Sequence, residues 1–141
     1  MLAGLAIGLS AASCGGNAFA QGAGPELPRA SEIPGVTADI LLRTQAPGAP
    51  GEALIVSRTT YRPGARVAWH RHLSQIVFYI LQGSMAVQEK DKAPLTLKAG
   101  DTLLVKPGTV HRHWNESTSR PLIFLEYILV EKGRRSIVFL K

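Results

Sequence analysis

Residues 65–72, ARVAWHRH, close on a His-Arg-His triplet that returns within TVHRHWN, residues 109–115. The two triplets, His70-Arg71-His72 and His111-Arg112-His113, hold all 4 histidines of the 141-residue chain. In an extended strand, side chains at i and i+2 share a face, so each histidine pair converges on one side while Trp69, Arg71, Arg112 and Trp114 point to the other. The repeated triplet predicts two β-strands that bring imidazoles into a common interior. Imidazole is a ligand for Zn, Fe, Mn, Ni and Cu, so the interior is a candidate metal centre.

The flanking sequence agrees with strands. Short β-branched and aromatic runs follow one another: ADILLRT (38–44), ALIVSRTTY (53–61), QIVFYIL (75–81), SMAVQEK (84–90), LTLK (95–98), DTLLVK (101–106), LIFLEYILVE (122–131) and SIVFL (136–140). Turn signals such as Pro63-Gly64, Gln82-Gly83, Ala99-Gly100, Pro107-Gly108 and Lys132-Gly133 separate them. No segment carries helical periodicity, so the pattern predicts an all-β sandwich, jelly roll or small barrel. QIVFYIL and LIFLEYILV are apolar on both faces, which a strand with one solvated face is not. One face would line the barrel and the other pack on a second sheet or a twin subunit, so a homodimer is expected, unless an N-terminal arm covers that face.

Composition sets outer bounds. A chain that is 45% hydrophobic and 18% charged buries a core of one-domain size and is not a disordered protein. The formal charge of +6 lies wholly after residue 20, but its lysines and arginines are scattered without a basic helix or stripe, which excludes nucleic acid as the expected partner. No G-x-S-x-G, P-loop or dinucleotide fingerprint is present.

Residues 1–20 are apolar, small and uncharged and end in Ala18-Phe19-Ala20, which reads as a secretory signal peptide rather than a span. Secretion or a periplasmic location is the expectation. Cys14, the only cysteine, offers an alternative, because Ala11-Ala12-Ser13-Cys14 resembles a lipoprotein cleavage box that would leave a lipid-anchored cysteine and a membrane contact. Residues 21–36 are rich in Pro and Gly and read as an extended arm or linker, and residues 37–141 as the barrel domain.

Two motifs carry a family resemblance. Gly64, then His70-x-His72 and, further on, Gly83 resemble the first motif of the cupins; Gly100-Asp101, Pro107-Gly108, His111 and Asn115 resemble the second. The resemblance spans about residues 52–131 and implies a double-stranded β-helix, the jelly-roll barrel of that family. It implies that His70, His72 and His111 are metal ligands, for a divalent Fe, Mn, Zn or Ni, and that Asn115 is structural. The carboxylate of the first motif is missing: Ile76 stands in its place. Gln75 beside it has the wrong strand parity and would enter the site as a ligand only through a bulge. The chain thus resembles the three-histidine variant of the fold.

Glu126 sits in the middle of LIFLEYILV, where an ionised side chain needs a partner. It is a candidate catalytic residue, projecting inward as ligand, hydrogen-bond acceptor or general base, against the plainer reading that it faces solvent or pairs with an arginine such as Arg66. His113 shares a face with His111 and is a candidate fourth ligand, although the family pattern has none there. Phe78 and Ile80, with Ile76, share the parity of His72 and are expected to wall the pocket, whereas Tyr61 and Tyr79 read as structural. These readings converge on a secreted metal-binding cupin acting on a small anionic or oxygen-rich molecule, as a dioxygenase-like or lyase-like enzyme. The alternative is a non-catalytic periplasmic protein that binds a small ligand or metal.

Overall fold

The alternation of buried and exposed side chains along each run decides how the strands stack. A computed structural model describes residues 33–140. The signal-peptide and lipid-anchor readings, including Cys14, and most of the predicted arm lie outside them. Ten strands follow in order: β1 (Val36–Gln45), β2 (Glu52–Tyr61), β3 (Arg66–His72), β4 (Gln75–Gln82), β5 (Ser84–Glu89), β6 (Leu95–Lys98), β7 (Thr102–Val105), β8 (Val110–Asn115), β9 (Leu122–Glu131) and β10 (Ile137–Phe139). Each falls on a run recognised in the sequence, and among the described residues there is no helix.

The strands form two five-stranded antiparallel sheets, ordered β1-β2-β9-β4-β7 and β10-β3-β8-β5-β6. The sheets face each other as a jelly roll, the double-stranded β-helix expected from the sequence. Period-2 patterning on β4 and β9 supplies much of the filling between them. Ile76, Phe78 and Ile80 of β4, Phe124 of β9 and Met85 of β5 are fully buried. Their alternates, among them Tyr79, Leu81, Tyr127 and Leu129, are exposed on the outer face of the first sheet.

Two glycines set how the sheets are joined. Gly83 adopts φ +85°, and a Cβ there would meet the Pro121 carbonyl oxygen at 2.8 Å, so only glycine lets the β4–β5 turn lie against the start of β9. Gly108 (φ +81°) closes the Pro107-Gly108 turn, and its N–H donates to the His72 carbonyl at 2.8 Å, tying the β7–β8 connection to the end of β3.

The edge strand β1 is held differently. It pairs with β2 alone, its register slips by a bulge between Ile40 and Leu42, and Ile40, Leu41 and Leu42 are 50%, 55% and 44% exposed. An Asp39–Arg58 ion pair across the β1–β2 ladder is exposed on both sides, so β1 is fastened mainly by its backbone ladder.

Candidate functional site

Strands β3 and β8 lie side by side, with Val67 opposite His113 and His70 opposite His111. Between those pairs β3 has one residue more than β8, a bulge at Ala68-Trp69. The bulge turns Val67 inward together with His70 and His72. All four histidines end up between the sheets: His70 and His111 fully buried, His72 and His113 nearly so. Trp69 and Trp114 stay outside, as their parity predicts, and flank the Arg112 guanidinium at 4.6 and 5.6 Å.

The backbone fixes three of the rings. Nδ1 of His70 lies 2.7 Å from the Ala68 carbonyl oxygen, Nδ1 of His111 3.0 Å from that of Thr109, and Nδ1 of His72 3.1 Å from that of Ser136. A carbonyl oxygen only accepts, so each Nδ1 carries the proton and each Nε2 keeps its lone pair. His70 Nε2 and His72 Nε2 stand 3.2 Å apart, and His111 Nε2 is buried without a hydrogen-bond partner. Facing lone pairs beside an orphaned third are what a bound cation satisfies, and carbonyl-locked imidazoles are how metal-ligating histidines are commonly held.

Protons are poor substitutes for that cation. Burial, reinforced by neighbouring His111, lowers His70 to about 4. Burial and then the adjacent His70 and His111 push His72 lower still, and burial lowers His111 as well. The rings are neutral near pH 7 and available as ligands.

His113 completes a second grouping. One ligand atom from each of His70, His111 and His113 lies within 4.8 Å of the other two. Among the described residues that spacing groups these three alone, while His72 joins the carbonyl-locked set through its Nε2, 3.2 Å from that of His70. The His113 Nδ1 meets no carbonyl; it lies 3.2 Å from the Tyr61 hydroxyl oxygen, and its ring stacks on Tyr61 and is edged by Phe78 and Phe124.

A cavity of about 290 Å³ opens beside the histidines. It lies between β1, β2 and β9 on one side and β3 and β10 on the other, where Val36, Ala38, Ile40, Ile128 and Ile137 make an apolar wall. His70, His72 and His113 reach it, together with a polar stripe of Ser57, Thr59 and Glu126. Arg43 stands on its lining as well.

Glu126 therefore projects inward, and the solvent-facing reading and the pairing with Arg66 are both corrected. Its Oε2 accepts from Ser57 Oγ at 3.2 Å and from Thr59 Oγ1 at 3.4 Å, the two β2 residues that point inward next to it. The residue is partly buried and lines the cavity. Burial pushes its carboxyl up to about 7, against the two hydroxyl hydrogen bonds, which pull it down.

Gln75 keeps the outward parity read from the sequence and does not enter the site as a ligand, whereas the pocket wall expected on β4 is not found. Gln75 is exposed at the start of β4 and lines a separate surface depression with Glu52, Leu73 and Pro107, because no bulge reverses its parity at that point. Ile76, Phe78 and Ile80 point inward but do not line the cavity. β4 lies on the filled side of the barrel, so its inner residues pack beneath the histidines, with the Phe78 ring 5.3 Å from His113 and 5.6 Å from Phe124. Asn115 is structural as expected: buried, its Nδ2 donates to the carbonyls of Tyr61, Arg62 and Arg120, and its Oδ1 accepts from Ser117 N–H. The sequence reading missed Tyr61, whose inward parity on β2 was the available signal.

A sequence model of the cupin domain matches residues 57–134. Over 45 residues the chain is 47% identical to the uncharacterised protein YdbB of Bacillus subtilis, a match covering 31% of this chain and 40% of YdbB. Among solved structures, a cupin-like protein of Thermotoga maritima superposes with a TM-score of 0.59 at 24% identity, covering 74% of this chain and 75% of its own. The DMSP lyase DddQ of Ruegeria pomeroyi gives 0.57 at 20% identity over 74% of this chain and 51% of its own. At these identities the two superpositions show a shared fold.

Proposed function

Because the chain belongs to the cupin family, we propose that it is a metal-dependent enzyme for a small molecule, with His70, His72 and His111 as the ligands of a divalent Fe, Mn, Zn or Ni ion. The observation that carries this reading is the set of three Nδ1–carbonyl locks, which leave three Nε2 lone pairs, one of them with no other partner. A metal there supplies Lewis acidity toward an oxygen of the substrate and, if redox-active, the means to use O₂.

The chain's own residues define what reaches that centre. Three neutral ligands leave the ion's charge uncompensated, which favours a substrate bearing a carboxylate, enolate or similar oxygen donor. The apolar wall of Val36, Ile40 and Ile128 lines its flank. Glu126 stands across the same cavity, held in place by Ser57 and Thr59, as the group that takes a proton from bound substrate. A carboxyl near 7 exchanges protons readily at neutral pH, as a general base should. The test is elemental analysis of the purified protein and of its His72→Ala variant, followed by a survey of oxygen uptake and lyase activity. Stoichiometric metal in the wild type, lost in the variant, is expected; a wild type without affinity for any of the four metals overturns the reading.

The proposal extends to assembly and location. The outer face of the first sheet carries an unbroken apolar row across all five strands, Leu42–Val56–Tyr127–Val77–Leu104, flanked by Tyr79 and Leu129. A second copy, stacked face to face about a two-fold axis, covers this row with like residues. Residues 1–20 act as an export signal, with cleavage after Ala20 placing the mature protein in the periplasm or outside the cell.

A further inference from the structure

His113 is the histidine that the metal reading does not use, and its surroundings differ from the other three in one chemical respect. A carbonyl partner dictates where an imidazole holds its proton; a phenol, which both donates and accepts, does not. The direction of the Tyr61–His113 hydrogen bond therefore decides what His113 offers the site. Tyr61 is buried, and among the described residues its hydroxyl has one hydrogen-bond partner, His113 Nδ1 at 3.2 Å. A phenol keeps its proton at neutral pH, and here burial and nearby Glu126 hold it well above its usual range. If that proton did not go to His113 it would have no acceptor among the described residues, which a buried donor tolerates poorly. Donation by Tyr61 fills the Nδ1 lone pair and leaves the His113 proton on Nε2.

We infer that Tyr61 sets His113 as a hydrogen-bond donor rather than a fourth ligand, its Nε2–H directed to the anionic atom of whatever small molecule enters beside His70 and His111. The inference rests on the ligand assignment proposed above. The spacing suits it: a ring nitrogen of His113 lies within 4.8 Å of one on His70 and one on His111, so a ligand atom held at those two is near His113 as well. The His113 ring is braced for a fixed aim by Tyr61, Phe78 and Phe124. The preferred ligand is a small anion, carboxylate or enolate, with an atom that binds the ion and accepts this proton together. Tyr61 is a positioning residue, acting through His113.

The experiment is long-range ¹H–¹⁵N correlation spectroscopy on protein labelled at histidine, metal-free and loaded with zinc. Three histidines are expected with Nδ1–H and zinc-shifted Nε2, and His113 with Nε2–H in both states. Tyr61→Phe should shift His113 toward the Nδ1–H tautomer without changing zinc stoichiometry. An Nδ1–H tautomer in the wild type, or a zinc-shifted His113 nitrogen, overturns the inference. If zinc shifts no histidine nitrogen the metal assignment fails instead, and the metal-free spectrum still decides the tautomer. As a second readout, azide is titrated into the cobalt-loaded protein. His113→Phe should weaken azide binding by about tenfold or more while keeping cobalt, as loss of a charge-assisted hydrogen bond implies. Unchanged azide affinity, or loss of cobalt in a folded variant, refutes the donor role.

Discussion

Acidifying the metal-free protein sets its buried histidines against its buried glutamate, and the structure says which prevails. An unfolded histidine takes up a proton near 6.5, but folded His70 resists to about 4 and His72 to lower values. Between those limits the unfolded chain binds more protons, so stability present above pH 6.5 is lost as the pH falls. From pH 7 to pH 5 each of these two rings withdraws about 2 kcal/mol. Glu126 acts with the opposite sign, because its folded carboxyl, raised from 4.5 to about 7, holds a proton that the unfolded chain releases. Over the same interval it returns about 2 kcal/mol. The balance is a loss of about 2 kcal/mol from these three groups, to which His111 and His113, both lowered by burial, add in the same direction. Urea titration in the presence of a chelator, at pH 7 and pH 5, reads this as a midpoint lower by on the order of 1 M at pH 5. Glu126→Gln removes the opposing contribution and should deepen the fall by about 2 kcal/mol. A midpoint that is equal or higher at pH 5, or a smaller fall in Glu126→Gln than in the wild type, would refute the reasoning.

Two further outcomes follow from packing. Gly83→Ala drives a methyl into the Pro121 carbonyl at a positive φ and should lower stability by at least about 2 kcal/mol, while Gly64→Ala, at φ +70° with open space around it, should lose only about 1 kcal/mol; thermal unfolding distinguishes them. Tyr127→Glu, at the centre of the apolar row, should convert a sedimenting dimer to a monomer with its metal content intact, and a wild type that sediments as a monomer removes the interface.

The strands, their inward faces and the two histidine triplets were legible because each depends on local alternation, and a period of 2 survives almost any tertiary context. Even the bulge at Ala68-Trp69 leaves His70 and His72 in phase with each other, so the inference from the triplet stood. The cavity was not legible. Parity told that Ile76, Phe78 and Ile80 face inward, but inward-facing residues divide into those under the histidines and those beside them. That division depends on which strands are neighbours across the barrel. The same gap hid the partners of Glu126: Ser57 and Thr59 stand in the sequence with inward parity, yet only the β2–β9 register brings them to its carboxylate. Gln75 illustrates the converse, since its parity already pointed outward and the structure left it there.

The thinly attached β1 carries a further consequence. The histidines, their carbonyl locks and Tyr61 belong to other segments, whereas Ala38, Ile40 and Arg43 of β1 shape one side of the cavity from a strand with little packing behind it. Substitutions at Ala38 or Ile40 remove no member of the ligand set. Pocket shape and reactive centre can therefore diverge independently along a lineage. The first place to alter which molecule the cavity admits is its outermost strand.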